Sequence, residues 1–231
     1  MGIDIGIIGA MEGEVASIID MLEKKELVTL SGIRFYTGSL FGKRVAVAKC
    51  GIGKVFAAIC TQTMILNFSP RLVVNTGVGG ALDPKLRPLD IVFATKLVQH
   101  DMDTSPLGDP KGLVSGINKI YFDSAKRAVD ILAAAADKLR AKYRKGTVAT
   151  GDKFIAEAED KARIAKEFKA IACEMEGAAV AQTAYVNCTP FAVVRAISDS
   201  ADGDASMDYA EFLPKAVKLS TELTLALVKN Y

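Results

Sequence analysis

Arg44-Val-Ala-Val-Ala-Lys49, Gly51-Ile-Gly-Lys54, the run from Lys54 to Phe68, and Leu72-Val-Val-Asn75 follow one another in the chain, and their order decides the fold. The first and last segments are short, β-branched and too apolar for half-exposed strands, so both read as strands buried on two faces. Between them, glycines break the first strand and open a helical run over Lys54–Phe68. Strand, glycine turn, helix and strand in that order make a parallel crossover unit.

The same alternation continues in both directions. Further strands are predicted at Asp4–Ile8, Asp90–Leu97, Lys145–Thr150, Ala170–Glu174 and Phe191–Ile197. Further helices are predicted at Glu14–Leu22, Ser124–Ala141, Asp160–Phe168, Ala178–Asn187 and Glu211–Lys229, the last with Leu213, Val217, Leu223 and Leu227 on one stripe. Over Leu27–Lys49, Ser31-Gly32 and Phe41-Gly42 separate three strand-like runs, which reads as an inserted antiparallel meander. The expected architecture is therefore α/β: a single domain spanning residues 1–231, with a mixed, mostly parallel twisted sheet covered by helices on both faces. Gln99–Gly116 is expected to be the one long loop.

Composition narrows the function. Half of the 231 residues are hydrophobic and mean hydropathy is +0.24, enough for a sizeable core. A formal charge of +2 is too small for a nucleic-acid surface, and the basic run Lys138–Lys145 reads as a solvated helix end. Cys50, Cys60, Cys173 and Cys188 form no CxxC pair, and His100 is the only histidine, so neither a metal site nor a cofactor is expected. The start Met1-Gly2-Ile3-Asp4 lacks a basic signal region and no apolar run reaches membrane-spanning length, which predicts a cytoplasmic protein with no membrane partner.

Ligands of such sheets gather beyond the carboxyl ends of the strands, so the residues there carry the chemistry. Gly51-Ile-Gly-Lys54 imitates a dinucleotide fingerprint, but Phe56 replaces its third glycine and Asn75-Thr76-Gly77 stands where a ribose-binding acid belongs; a nicotinamide cofactor is not supported. Gly9-Ala-Met-Glu-Gly-Glu14 carries two acids into a first helical turn. As ordinary helix-dipole partners they need no further explanation, whereas a base at the sheet mouth would take a proton from water. Glu174-Met175-Glu176 leaves a buried strand, and if that strand continues the two acids share one side. Arg195, inside the apolar run Val193–Asp199, needs a carboxylate partner, with Glu14 and Glu176 as candidates.

Taken in order, Gly6–Val15, Gly51–Lys54, Asn75–Gly77, Gly151-Asp-Lys-Phe-Ile155, Glu174–Glu176 and Val193–Asp199 resemble the 5′-methylthioadenosine/S-adenosylhomocysteine nucleosidase family, of the nucleoside phosphorylase fold, over essentially the whole chain. The resemblance implies cleavage of the N-glycosidic bond of 5′-methylthioadenosine, S-adenosylhomocysteine and 5′-deoxyadenosine, releasing adenine. Under it Glu14 activates the attacking water and Asp199 protonates adenine N7. Phe154 stacks on the purine, the Ile155 backbone reads its edge, Met175 lies beside the ribose, and Glu176 binds its hydroxyls. Met11, Ile52, Val78, Glu174 and Ser198 join the substrate-binding set, and Arg195 orients water and carboxylate. The resemblance also implies a homodimer in which His100–Leu107, with Asp103 and Leu107, reaches the neighbouring subunit's 5′ pocket, closed by Phe212 with Tyr209 and Met207.

Adenine leaves poorly as an anion, so an acid at N7 and a base for water are both required. That division predicts an Asp199 pKa raised by burial or an anionic neighbour, and a Glu14 kept ionised by Arg195. Two acids at the first turn would repel phosphate and suit water, favouring hydrolysis over phosphorolysis. Val78 stands where some relatives carry serine, leaving backbone groups in the expected turn Asn75–Gly80 to hold water. The rivals are a sibling purine hydrolase such as futalosine hydrolase, a phosphorylase, and a nucleoside-binding protein that would not need both Glu14 and Asp199.

Overall fold

The computed structural model describes residues 2–201 and 205–231; the side chains of 205–208 and 210 lie outside the described residues. Among the described residues ten strands form one mixed sheet. β1 (Ile5–Gly9) lies parallel to β4 (Lys43–Lys49) and β5 (Leu72–Ala81), and β5 lies parallel to β10 (Phe191–Asp199). β6 (Ile91–Gln99), β8 (Tyr143–Thr150) and β9 (Ala170–Glu174) form a second parallel set, joined antiparallel to β10 through β6 and to β5 through β9. These pairings close β5, β10, β6, β8 and β9 into a ring. A ring leaves those strands without open edges. β7 (Phe122–Asp123) adds a short antiparallel pairing to β6.

The meander is present: β2 (Glu23–Leu30) and β3 (Ile33–Leu40) run antiparallel out to the edge beyond β4. β2 reads Glu-Lys-Lys-Glu-Leu-Val-Thr-Leu, and its charges discourage pairing with a second molecule.

Side-chain alternation assigns each face to its helices. Ile5, Ile7, Val45, Val47, Leu72 and Val74 pack with residues of α1 (Glu12–Asp20), α3 (Lys126–Leu139) and α6 (Ala205–Asn230). Ile8, Ala46, Ala48 and Val73 point the other way, toward α2 (Lys54–Phe68) and α5 (Gly177–Val186). Ile164 and Phe168 of α4 (Ala158–Phe168) cover a smaller cluster with Val98, Ala149 and Ala170.

Two expectations need correction. The expected turn Asn75–Gly80 is instead the second half of β5: its glycines allow close approach from neighbouring side chains, so strand pairing continues. α6 begins at Ala205, six residues before the predicted Glu211. The long loop contains a turn of 3₁₀ helix at Ser105–Leu107 and a bridge between Val114 and Lys119. Among the described residues no helix is long and apolar enough to cross a membrane.

Leu132 of α3 is fully buried against the sheet. Leu132→Ala is expected to cost about 2–5 kcal/mol, read as a lower denaturant midpoint with an unchanged slope.

Candidate active site

The carboxyl ends of β1, β5 and β10 open into a cavity of about 650 Å³, mouth included. It is lined by Met11, Glu14, Ile52, Val78, Phe154, Ile155, Glu174, Met175, Glu176, Ser198 and Asp199, together with Lys153, Cys173 and Tyr209 among others. Twelve of the candidate site residues named from the sequence, Tyr209 among them, thus meet at one place. Glu14 and Asp199 share this cavity. A methyl group on Gly77 would stand 2.4 Å from Glu14 Oε1, and one on Gly80 2.7 Å from Asp199 Oδ2, so the two glycines admit one carboxylate each. Gly77 and Gly80 are three positions apart on β5, which puts their Cα atoms roughly 10 Å apart at ordinary strand rise.

Glu14 lies at the third position of α1 and reaches back over the helix start, accepting from the backbone N–H of Ala10 (2.7 Å) and Met11 (2.9 Å); Val78 N–H adds a third bond at 3.3 Å. A carboxylate has about four acceptor positions, so one is left toward the cavity. The Val78 backbone N–H, one of the groups expected to hold water, donates here to Glu14. Burial raises the Glu14 pKa above the ordinary carboxylate value, outweighing these N–H groups and the Arg195 charge. Arg195 does act in the expected direction, favouring the ionised form of Glu14, but burial is the larger effect.

Arg195 is 1% exposed and its partner is Glu174, neither of the two carboxylates expected. Its guanidinium also donates to the Asn75 side chain and to the Asn75 and Val194 carbonyls. It lies behind the cavity wall, outside the lining. Burial opposes its charge, but Glu174, Glu176 and Glu14 together raise its pKa. Glu174 accepts from Thr150, Arg195 and the Glu176 and Gly177 N–H groups, so it works as a strut.

β9 ends at Glu174, so the two acids do not share a strand face: Glu176 sits at the start of α5 and accepts from Gly53 N–H at 2.8 Å through Oε1. Burial and the adjacent Glu174 charge push its pKa up to about 7.

Asp199 is 2% exposed; Oδ1 accepts from Ser198 Oγ at 2.9 Å, and Oδ2 pairs with the buried Lys161 ammonium at 3.1 Å. Of the two surroundings expected for Asp199, burial or an anionic neighbour, burial is present, and the described charged contact is the Lys161 cation. Lys161 also donates to the Ser200 carbonyl. Sequence reasoning passed over Lys161, although Lys161, Ile164 and Phe168 follow the i, i+3, i+7 spacing of an inward helix face.

The rim is aromatic. Phe154 is half exposed, with its ring edge-on to Tyr209 at 5.7 Å, and the Tyr209 hydroxyl reaches Met11 Sδ at 3.4 Å. Phe212 is not brought to the lining; its ring lies 5.8 Å from Lys215 Nζ. The Met207 side chain lies outside the described residues. Asp103 and Leu107 are exposed and away from their own chain's cavity, Leu107 at 85%.

The model of the phosphorylase superfamily matches residues 4–229. A 5′-methylthioadenosine/S-adenosylhomocysteine nucleosidase of Staphylococcus aureus is 38% identical over 227 residues, covering 98% of this chain and 99% of that protein. The Neisseria meningitidis nucleosidase of the same name, solved with methylthio-immucillin-A, superposes with a TM-score of 0.95 at 36% identity, covering 99% of both chains. Futalosine hydrolase of Helicobacter pylori superposes at 0.93 with 34% identity, covering 99% of this chain and 98% of that one.

The Glu176 environment sets a pH dependence. With its folded pKa near 7 and an ordinary value when unfolded, the folded state holds the extra proton between about pH 4.5 and 7. Its contribution to stability is full below that window and lost as pH rises through it; the raised Glu14 acts in the same direction. Thermal denaturation is expected to show a lower Tm at pH 8 than at pH 5, with Glu176→Gln flattening the difference.

Proposed function

The chain belongs to the phosphorylase superfamily, and on that premise we propose that it is a purine nucleosidase that hydrolyses the N-glycosidic bond of 5′-methylthioadenosine, S-adenosylhomocysteine and 5′-deoxyadenosine. The observation that carries the reading is the meeting of Glu14 and Asp199 in one cavity with an aromatic rim. Asp199 gives its proton to adenine N7 as the C1′–N9 bond stretches and its electron pair passes to the base. Glu14 takes a proton from the water that attacks C1′ from the other side, which leaves neutral adenine and a free 5′-substituted ribose. A Glu14 pKa raised by burial brings this base nearer its working pH. If each proton transfer is worth ~10²–10⁴-fold, the pair contributes about 5–11 kcal/mol.

Phe154 stacks on the adenine and the Ile155 backbone meets its edge. Glu176, whose described bond uses only Oε1, takes the ribose hydroxyls, with Met175 beside the sugar. Met11, Ile52, Val78 and Ser198 line the remaining contacts, while Glu174 and Arg195 act from behind as supports. Water is favoured over phosphate because Glu14 faces the sugar, while Arg195 is already committed to Glu174 and Lys161 to Asp199.

The active unit is a homodimer. α2 exposes Val55 (69%), Phe56, Ile59 and Leu66 beside Tyr185 and Val186 of α5, a patch suited to a second copy. Pairing there lets Asp103 and Leu107 of one protomer reach the other's 5′ pocket, with Phe212 at its edge. Four free cysteines support a reducing compartment, the cytoplasm.

Incubation with 5′-methylthioadenosine is expected to release adenine and free methylthioribose at the same rate with and without phosphate; a sugar phosphate product would overturn the reading. Futalosine, assayed in parallel, separates the sibling substrate. Glu14→Gln and Asp199→Asn are each expected to lower kcat by ~10²–10⁴-fold. Sedimentation equilibrium is expected to give twice the chain mass, and Val55→Glu to shift it toward the monomer with loss of activity.

A further inference from the structure

Lys161 is the buried cation that the reaction, as drawn, leaves without a task. Its side chain is 2% exposed, and a lysine so placed must be paired to remain in the core as an ammonium. Its partners are Asp199 Oδ2 at 3.1 Å and the Ser200 carbonyl, both at the end of β10. A packing role would be met by a methionine of similar length, and a helix-surface role by turning outward. Lys161 instead crosses from α4 to the one carboxylate that must give up a proton.

The charges around Asp199 come from several elements. Lys161 approaches from α4. Cys173 of β9 has its thiol pushed up to about 12 by burial, so it stays neutral; Tyr209 of α6 has a phenol raised further by burial and also stays neutral. Glu174, on the same strand as Cys173, is engaged by Arg195, and the Ser198 hydroxyl donates to Oδ1. Lys161 is thus the described cation in contact with Asp199.

Before proton transfer Asp199 is a neutral acid and afterwards it is a carboxylate. A fixed positive charge on Oδ2 interacts far more strongly with the second state, so its effect grows as the transition state is reached. We propose that Lys161 is a positioning residue that fixes the Asp199 carboxyl group and stabilises the carboxylate left once the proton has passed to the purine. The balance is simple: the proton leaves Asp199 for N7, the glycosidic electron pair goes to the base, and Lys161 keeps its own proton throughout. The proton that Glu14 takes from water returns to Asp199 through solvent when products leave. The same charge disfavours the protonated acid, so activity is lost at lower pH than it would be without Lys161.

This inference rests on Asp199 being the acid, and the experiment separates the two. The pH profile of kcat for adenine release is measured for wild type, Lys161→Met, Lys161→Gln, Lys161→Arg and Asp199→Asn, each checked for folding by thermal denaturation. Lys161→Met is expected to lower plateau kcat about 10- to 100-fold with little change in KM, and to move the alkaline limb up by about one pH unit or more. Lys161→Arg is expected to keep the limb in place and recover most of kcat. Lys161→Gln gives the same reading if Lys161→Met does not fold. A folded Lys161→Met or Lys161→Gln enzyme with the wild-type limb, beside an Asp199→Asn enzyme that has lost activity, overturns the Lys161 proposal alone. Full activity in Asp199→Asn overturns the acid assignment, and the proposal with it.

Discussion

The Arg195–Glu174 ion pair is the constraint around which the site is built. It lies within the closed ring, where Arg195 of β10 grips Glu174 of β9 and Asn75 of β5, so one guanidinium ties together three strands that meet at the cavity floor. A charge this deep is tolerable only if its partners are fully engaged, because removing one would strand the other at about 3–5 kcal/mol. Glu174 is correspondingly saturated, which leaves the neighbouring Glu176 in the field of a like charge that adds to the burial raising its pKa. The electrostatics of the pocket thus follow from how the ring is closed.

From that frame the two proposed reacting carboxylates acquire different surroundings. Glu14 is held by backbone N–H groups at a helix start, with burial dominating, while Asp199 meets a lysine and a serine hydroxyl. Identical functional groups placed at opposite ends of a glycine-rich strand segment can in this way be set to opposite tasks, one taking a proton and the other giving one. The glycines of β5 supply the space for both, so a segment that looks like a turn in the sequence is a strand stripped of side chains.

Much of this was legible in the sequence where the signal is local. Gly9–Glu14, Phe154-Ile155, Glu174–Glu176 and Ser198-Asp199 each sit at a strand end, and all of them reach the cavity. The meander announced itself through paired turn residues. What stayed hidden depends on register between distant strands. Strands buried on both faces carry no alternation to fix their neighbours, so neither the closure of the ring nor the choice of Glu174 over Glu14 and Glu176 as the Arg195 partner could be read. Lys161 was visible in the inward stripe of its helix, but a single lysine in an apolar pattern names no partner.

The central claim is that water and purine lie on opposite sides of the sugar, each served by its own carboxylate. The most direct measurement is the anomeric configuration of the methylthioribose formed in the first seconds of hydrolysis, followed by proton NMR before the sugar mutarotates. The account predicts the inverted α-anomer as the initial product; an initial β-anomer would contradict it, because retention requires the enzyme to attack the sugar before water does.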